Sequence, residues 1–163
     1  MPASYTQIVL HTVWSTKYRN PWVELAMETD LHSIIADQFV KKGSIVLAIG
    51  GASDHVHVLH TLPRTVTIAE LVRVGKAVSS KWMHRQHERY EQFGWQDGYG
   101  SFSADYRNLG DLIRYIKTQR QHHAGTDPDP GQTFVNEYTK ILKTYGHADF
   151  DREYVFPDPP KIS

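Results

Sequence analysis

The sequence predicts an α+β chain with a ferredoxin-like, antiparallel four- to five-stranded sheet and helices packed on one face. Two observations carry this. The periodicities run strand, helix, strand, strand, helix, strand, then helices, which is the β-α-β-β-α-β order. The segments are also short and punctuated by turn residues, as in Gly50-Gly51-Ala52-Ser53-Asp54. At 163 residues the chain is long enough to bury one core.

Each element has its own signal. Tyr5 to Trp14 is β-branched and aromatic-rich and reads as the first strand. Ser15 to Pro21 is a polar turn. Val23 to Lys42 is helical, with Leu31, Ile34, Ile35 and Phe39 at helical spacing and Gly43 at the C-terminal cap. Ser44 to Ile49 is the second strand, and residues 55–61 are the third. Thr67 opens a helix, with Glu70 three residues on as a capping box, running to about Tyr90. Gly94 to Gly100 is too glycine-rich for a helix and leads into a short strand, Ser101 to Ala104. Asn108 is placed to cap a helix reaching about His123. Asp127 to Gly131 is a loop, and Thr133 to Tyr145 a last helix. The division expected is one domain over residues 1–146 and an acidic, Pro-rich extended tail over 147–163.

Composition sets bounds. With 40% apolar and 22% charged residues the chain is of ordinary globular type. No run approaches the roughly 18 apolar residues of a membrane span, so no membrane partner is expected. Met1-Pro2-Ala3-Ser4 lacks the basic start of a signal peptide. The absence of cysteine excludes disulfides and thiolate metal sites. Formal charge is zero, but unevenly spread. Residues 64–120 hold 10 Lys/Arg against 6 Asp/Glu, while 127–163 hold 4 against 7. Phosphate contact needs a local basic face, not a basic total.

The chemistry-bearing residues are few. His55 and His57 stand one apart in an apolar run, and a strand sends alternate side chains to one face. Both imidazoles then project together, as half of a metal site, while His60 faces away. In the helix after Asn108, Leu109, Leu112, Ile113 and Ile116 form an apolar stripe. Tyr115 and Gln119 lie one turn apart at its edge. Gln119 offers a hard oxygen, and Tyr115 a nucleophile if a metal grips a phosphate beside it. Mg²⁺ or Mn²⁺ suits an oxygen-rich phosphate substrate, with imidazoles tilting affinity toward Mn²⁺. Each signal alone also has an ordinary structural reading; their joint spacing gives them weight.

Five segments recur in one order: Tyr5 to Arg19 with His11 and Trp14, Asp54-His55-Val56-His57, Lys76 to Trp82, Trp95 to Ser103, and Tyr115 to His123. This set resembles the single-tyrosine HUH transposases of short bacterial insertion sequences, close to the REP-associated tyrosine transposases. The resemblance covers roughly residues 5–138. It implies a ferredoxin-like fold that dimerises and metal-dependent cleavage and joining of single-stranded DNA with hairpin ends. It makes His55, His57 and Gln119 the metal ligands and Tyr115 the nucleophile, forming a 5′-phosphotyrosine. It places the protein in the bacterial cytoplasm, with the nucleoid.

A free phenol has a pKa near 10, so the mechanism needs activation by metal or by cations such as Lys117 and Arg120. DNA contacts expected from charge and ring character are Lys17, Arg19, Arg73, Lys76, Lys81, Arg85, Tyr99, Lys117 and Arg120. Trp14 and Trp82 also offer stacking faces, although core packing is their ordinary role. The competing reading is a domesticated protein that holds hairpin DNA or RNA without cutting it.

Overall fold

The computed structural model describes residues 3–120 and 133–161. Four strands form one antiparallel sheet: β1 (Val9–Ser15), β2 (Val46–Gly51), β3 (His55–Thr61) and β4 (Gly100–Ser103), in the order β2-β3-β1-β4. The histidine strand is therefore central. Its register on β1 sets His57 opposite Val13 and His55 opposite Ser15. Strand alternation then sorts the side chains. Trp14, Val56 and Val58 face one way; Val9, His11, Val13, His55, His57 and Leu59 face the other.

Helices α1 (Leu25–Lys41) and α2 (Ile68–His84) cover the first face. Their buried Leu31, Ile35, Phe39, Leu71, Val72 and Met83 pack on Trp14, Val56 and Val58. The two ends expected from the sequence have the expected chemistry. Gly43 takes φ +93° just past α1, a left-handed turn that glycine adopts without a Cβ penalty. The Thr67 hydroxyl accepts the Glu70 amide at 3.1 Å. His60 lies on this face too, bonded to Thr12 Oγ1 at 2.7 Å and edge-on to Phe39.

The one-sided packing expected of the sheet describes α1 and α2. Two further helices cover the opposite face, because its apolar residues have no other cover. Helix α3 (Leu109–Lys117) seats Ile116 on Val9, Ala48 and Leu59. Helix α4 (Phe134–Thr144) seats Phe134, Tyr138 and Leu142 on Val13 and Phe102. Thr133 caps α4 through the Asn136 amide. Asn108 precedes α3 without a side-chain capping bond. A 3₁₀ turn (Tyr106–Asn108) runs directly into that helix, and Asp105 caps the turn instead. The helix expected to run on to about His123 is interrupted at Thr118, where the backbone leaves helical geometry and the Thr118 hydroxyl bonds the Arg114 carbonyl; its expected end and the loop 127–131 lie outside the described residues.

After α4, a single turn α5 (Arg152–Val155) leads to Phe156, which is buried among Phe134, Tyr138 and Leu142. Among the described residues no helix is long and apolar enough to cross a membrane.

Candidate functional site

His55 and His57 project from β3 toward α3 and α4, and both are buried. Each uses its Nδ1 on a neighbour. His55 Nδ1 lies 2.7 Å from Asp54 Oδ1, and His57 Nδ1 lies 2.7 Å from His11 Nε2. Both Nε2 atoms are thereby left to converge on one spot. Phe134 stacks on the His55 ring at 4.5 Å, fixing it from the α4 side.

Two helices deliver the remaining groups. Just past the turn at Thr118 that ends α3 comes Gln119, fully buried, with its amide oxygen 3.1 Å from His55 Nε2. Turned the other way, its nitrogen reaches both Glu137 oxygens and His57 Nε2 at 3.2 Å. That orientation suits the site without an ion, because a carboxylate accepts and an amide nitrogen donates. A cation there would be met by the amide oxygen. From α4 comes Glu137, 3% exposed, with Oε1 2.8 Å from His57 Nε2.

One ligand atom each from His55, His57 and Glu137 lies within 4.8 Å of the others. Donors around one ion at roughly 2.1 Å stand up to about 4.2 Å apart, so a slight contraction would seat a cation. Two imidazoles and a carboxylate, with an amide oxygen beside them, suit a divalent first-row or hard cation. A buried carboxylate is costly unless paired; Glu137 already meets His57 Nε2 at 2.8 Å, and a cation would join that pairing. These residues fit a metal site.

Glu137 did not figure in the sequence reading. Its signal was nevertheless there: it sits at i+3 from Phe134 on the stripe Phe134, Tyr138, Leu142, where a solvated acid has no place.

Tyr115 faces this cluster from α3. Its ring meets His57 edge-on at 6.0 Å, and its hydroxyl is hydrogen-bonded with Glu137 and Gln119. Burial, followed by the Glu137 charge, pushes the phenol far above its ordinary range. The cations expected to activate it are elsewhere. Lys117 is exposed on α3. Arg120 Nε bonds Glu28 at 2.9 Å, and its Nη2 bonds the Val23 carbonyl at 3.0 Å. Burial also holds His11 uncharged, its pKa pushed down to about 3, with His57 adding to the effect.

A cleft of about 320 Å³ between α3 and α4 opens onto this cluster, lined by His11, Tyr115, Glu137, Lys140 and Thr144.

The residues expected to touch DNA divide into groups. Arg73, Lys76 and Tyr99 line one groove of about 560 Å³ with Ser80 and Gln96. Lys76 is partly used there: its Nζ bonds the Gln96 and Gly98 carbonyls at 2.8 and 2.6 Å. Burial lowers its pKa to about 8. Lys81 and Arg85 are exposed at the end of α2. Lys17 is exposed on a turn whose next residues, Tyr18 and Arg19, take φ of 56° and 59°. Such left-handed backbone costs non-glycine residues about 1–2 kcal/mol each. Arg19 binds Asp158 and the Pro157 carbonyl of the C-terminal segment at 3.2 and 3.3 Å. Trp14 is packed between Phe39 and Trp95 and has no face to offer a base.

The fold has known counterparts. Among solved structures, a protein assigned as a transposase in Deinococcus radiodurans R1 superposes with a TM-score of 0.57 at 21% identity, over 74% of this chain and 96% of that one. A REP-associated tyrosine transposase bound to a REP hairpin superposes with a TM-score of 0.52 at 13% identity, over 71% of this chain and 68% of that one. No curated protein matches the sequence. The family model described as transposase, IS200-like, matches residues 4–119, more than two thirds of the chain. The chain therefore belongs to the IS200-like transposase family.

Proposed function

We propose that this protein is a metal-dependent transposase that cleaves and rejoins single-stranded DNA at hairpin-flanked ends through a 5′-phosphotyrosine on Tyr115. The observation that carries the reading is the meeting of half-buried Tyr115 with the buried His55, His57, Gln119 and Glu137 in one cluster. The similar structure bound to a REP hairpin supports hairpin-ended DNA as the substrate class. The assembly proposed is a homodimer acting in the bacterial cytoplasm at the nucleoid. Residues 1–146 form the catalytic domain; the segment 147–163, expected as an extended tail, instead makes a helical turn and packs Phe156 onto that domain, because its aromatic ring finds cover on Phe134 and Tyr138.

A divalent ion, Mg²⁺ or Mn²⁺, would be held by His55, His57 and the Glu137 and Gln119 oxygens, and would supply Lewis-acid polarisation of the scissile phosphate. The chain's own residues do the rest. Tyr115 Oη attacks phosphorus, the P–O3′ bond breaks, and the 3′ oxygen leaves with a proton as the hydroxyl. The phosphotyrosine ester keeps the energy of the broken bond. A second 3′-OH attacks it, reseals the strand and returns Tyr115, with no nucleotide consumed. Of the two groups hydrogen-bonded to the phenol, Glu137 is the carboxylate and so the one able to take the proton that must leave. Its negative charge has to be offset before phenolate forms.

The burial of the cluster and the raised phenol pKa favour one other reading, a relative that holds hairpin DNA or RNA without cutting it. One experiment separates the two. The protein is incubated with single-stranded DNA carrying hairpin ends and Mn²⁺ or Mg²⁺, beside Tyr115→Phe, on a denaturing gel. A covalent protein–DNA band lost in Tyr115→Phe is expected. Tight binding without any adduct would establish the non-catalytic reading.

A further inference from the structure

His11 belongs to no element of the proposed chemistry, yet it is buried in it. It stands on β1 opposite Leu59, two residues from His57 along β3 and on the same face. Its ring stacks on that of His57 at 5.0 Å and 25°, and its Nε2 is 2.7 Å from His57 Nδ1. That contact is side chain to side chain, and both groups are buried. A buried imidazole has two distinct nitrogens, and the partner of one fixes what the other can do.

We propose that His11 is a positioning residue that holds the His57 ring with Nε2 turned into the cluster and with Nδ1 bearing the proton. The inference rests on the metal reading above and extends it to a residue that touches neither metal nor DNA. In the tautomer that leaves Nε2 a free lone pair, His57 Nδ1–H donates to His11 Nε2. Asp54 does the same for His55 at 2.7 Å, so both strand histidines are braced from behind through Nδ1. The braces differ in kind. The Asp54 carboxylate only accepts, whereas His11 can accept or donate. Without a cation, His57 Nε2–H can bond Glu137 and Nδ1 can accept from His11. Cation binding then reverses the His11–His57 hydrogen bond: the His57 Nε2 proton leaves, the shared proton passes from His11 Nε2 to His57 Nδ1, and His11 takes up a proton at its own Nδ1, so both rings stay neutral. Outer partners of this kind tune affinity and geometry without touching the ion.

The test compares two substitutions in the full-length protein. His11→Phe keeps the ring, the bulk and the stacking but removes the nitrogen. His11→Gln loses the ring but places a polar amide near the Nε2 position. Mn²⁺ affinity is read from free-ion electron spin resonance. The His57 tautomer is read from imidazole ¹⁵N shifts with Zn²⁺ as a diamagnetic ion. Expected are a fall in Mn²⁺ affinity of about tenfold or more in His11→Phe, near wild-type affinity in His11→Gln, and a protonated His57 Nδ1 in the loaded wild type. A purely packing role would order the variants the other way, with Phe the milder change. His11→Phe binding Mn²⁺ as tightly as wild type, or His57 metallated through Nδ1, would overturn the inference. A wild-type protein that binds no Mn²⁺ would overturn the metal reading beneath it.

Discussion

Gly50 stands opposite His57 across the β2–β3 ladder, and a Cβ on Gly50 would collide with the carbonyl oxygen of Ile116. The backbone of α3 therefore rests on bare strand directly above the histidine pair. Tyr115 is next in sequence to that carbonyl. The close approach, possible only for glycine here, sets the depth at which the tyrosine meets His57.

Gly50→Ala is expected to lift α3. Overpacking of this kind costs about 1–3 kcal/mol, read as a lowered midpoint in urea unfolding. The adduct yield on hairpin DNA should fall further than stability alone accounts for, because Tyr115 moves with the helix. Unchanged adduct formation with an unchanged midpoint would show that α3 does not need this seat.

Much of this arrangement was legible in the sequence. The bounds of β3, the parity that puts His55 and His57 on one face and His60 on the other, and the Thr67 cap all follow from local rules. Gly50 could be read only as a turn residue, because its role is a backbone contact with a helix 66 residues later. Glu137 was missed for a similar reason. A glutamate in a first helical turn reads as a favourable charge at the helix dipole. What makes it a site residue is that its helix lies face-down on the histidine side of the sheet. Arg19 and Arg120 were read as free cations, but acids distant in sequence, Asp158 and Glu28, occupy them.

Glu137 and Gln119 make separable contributions to cation binding. Glu137→Gln removes a charged oxygen donor from the cluster of His55 and His57, and should weaken Mn²⁺ binding by tenfold or more. Gln119→Ala removes one neutral donor and should weaken it less. Saturating Mn²⁺ should raise the melting temperature of the wild type and hardly that of Glu137→Gln, since only native-state binding stabilises. Equal shifts in both proteins, followed by scanning calorimetry, would place the ion away from Glu137.

Lys76 ties α2 to the turn before β4 through two carbonyls. Lys76→Met keeps much of the stem and deletes both bonds, which should cost about 1–3 kcal/mol. Hydrogen exchange should rise first at Asp97, Gly98 and Tyr99, where the wall of the groove loses its tether. Protection there equal to wild type would mean that the turn is held instead by Gln96, whose amide bonds the Ser15 carbonyl at 2.9 Å and whose side-chain oxygen accepts from the Tyr18 amide at 3.1 Å.

The protein should lose stability in mild acid through histidines kept neutral by burial. His11 has its pKa pushed down to about 3, by burial first and then by His57. His32 is pushed down to about 4, by burial first and then by Arg120. Both take up protons near their ordinary value of 6.5 once the chain unfolds. Between 6.5 and about 4 the unfolded state thus binds more protons than the folded state. Stability is full above 6.5 and falls as pH drops through that window. Urea midpoints measured without metal from pH 8 to pH 4 should show this slope, and His32→Gln should flatten part of it. A slope unchanged in His32→Gln would assign the acid sensitivity to His11 and to His60, which burial also holds below its ordinary value. A flat profile in the wild type would mean that these rings find partners for their protons in the folded state.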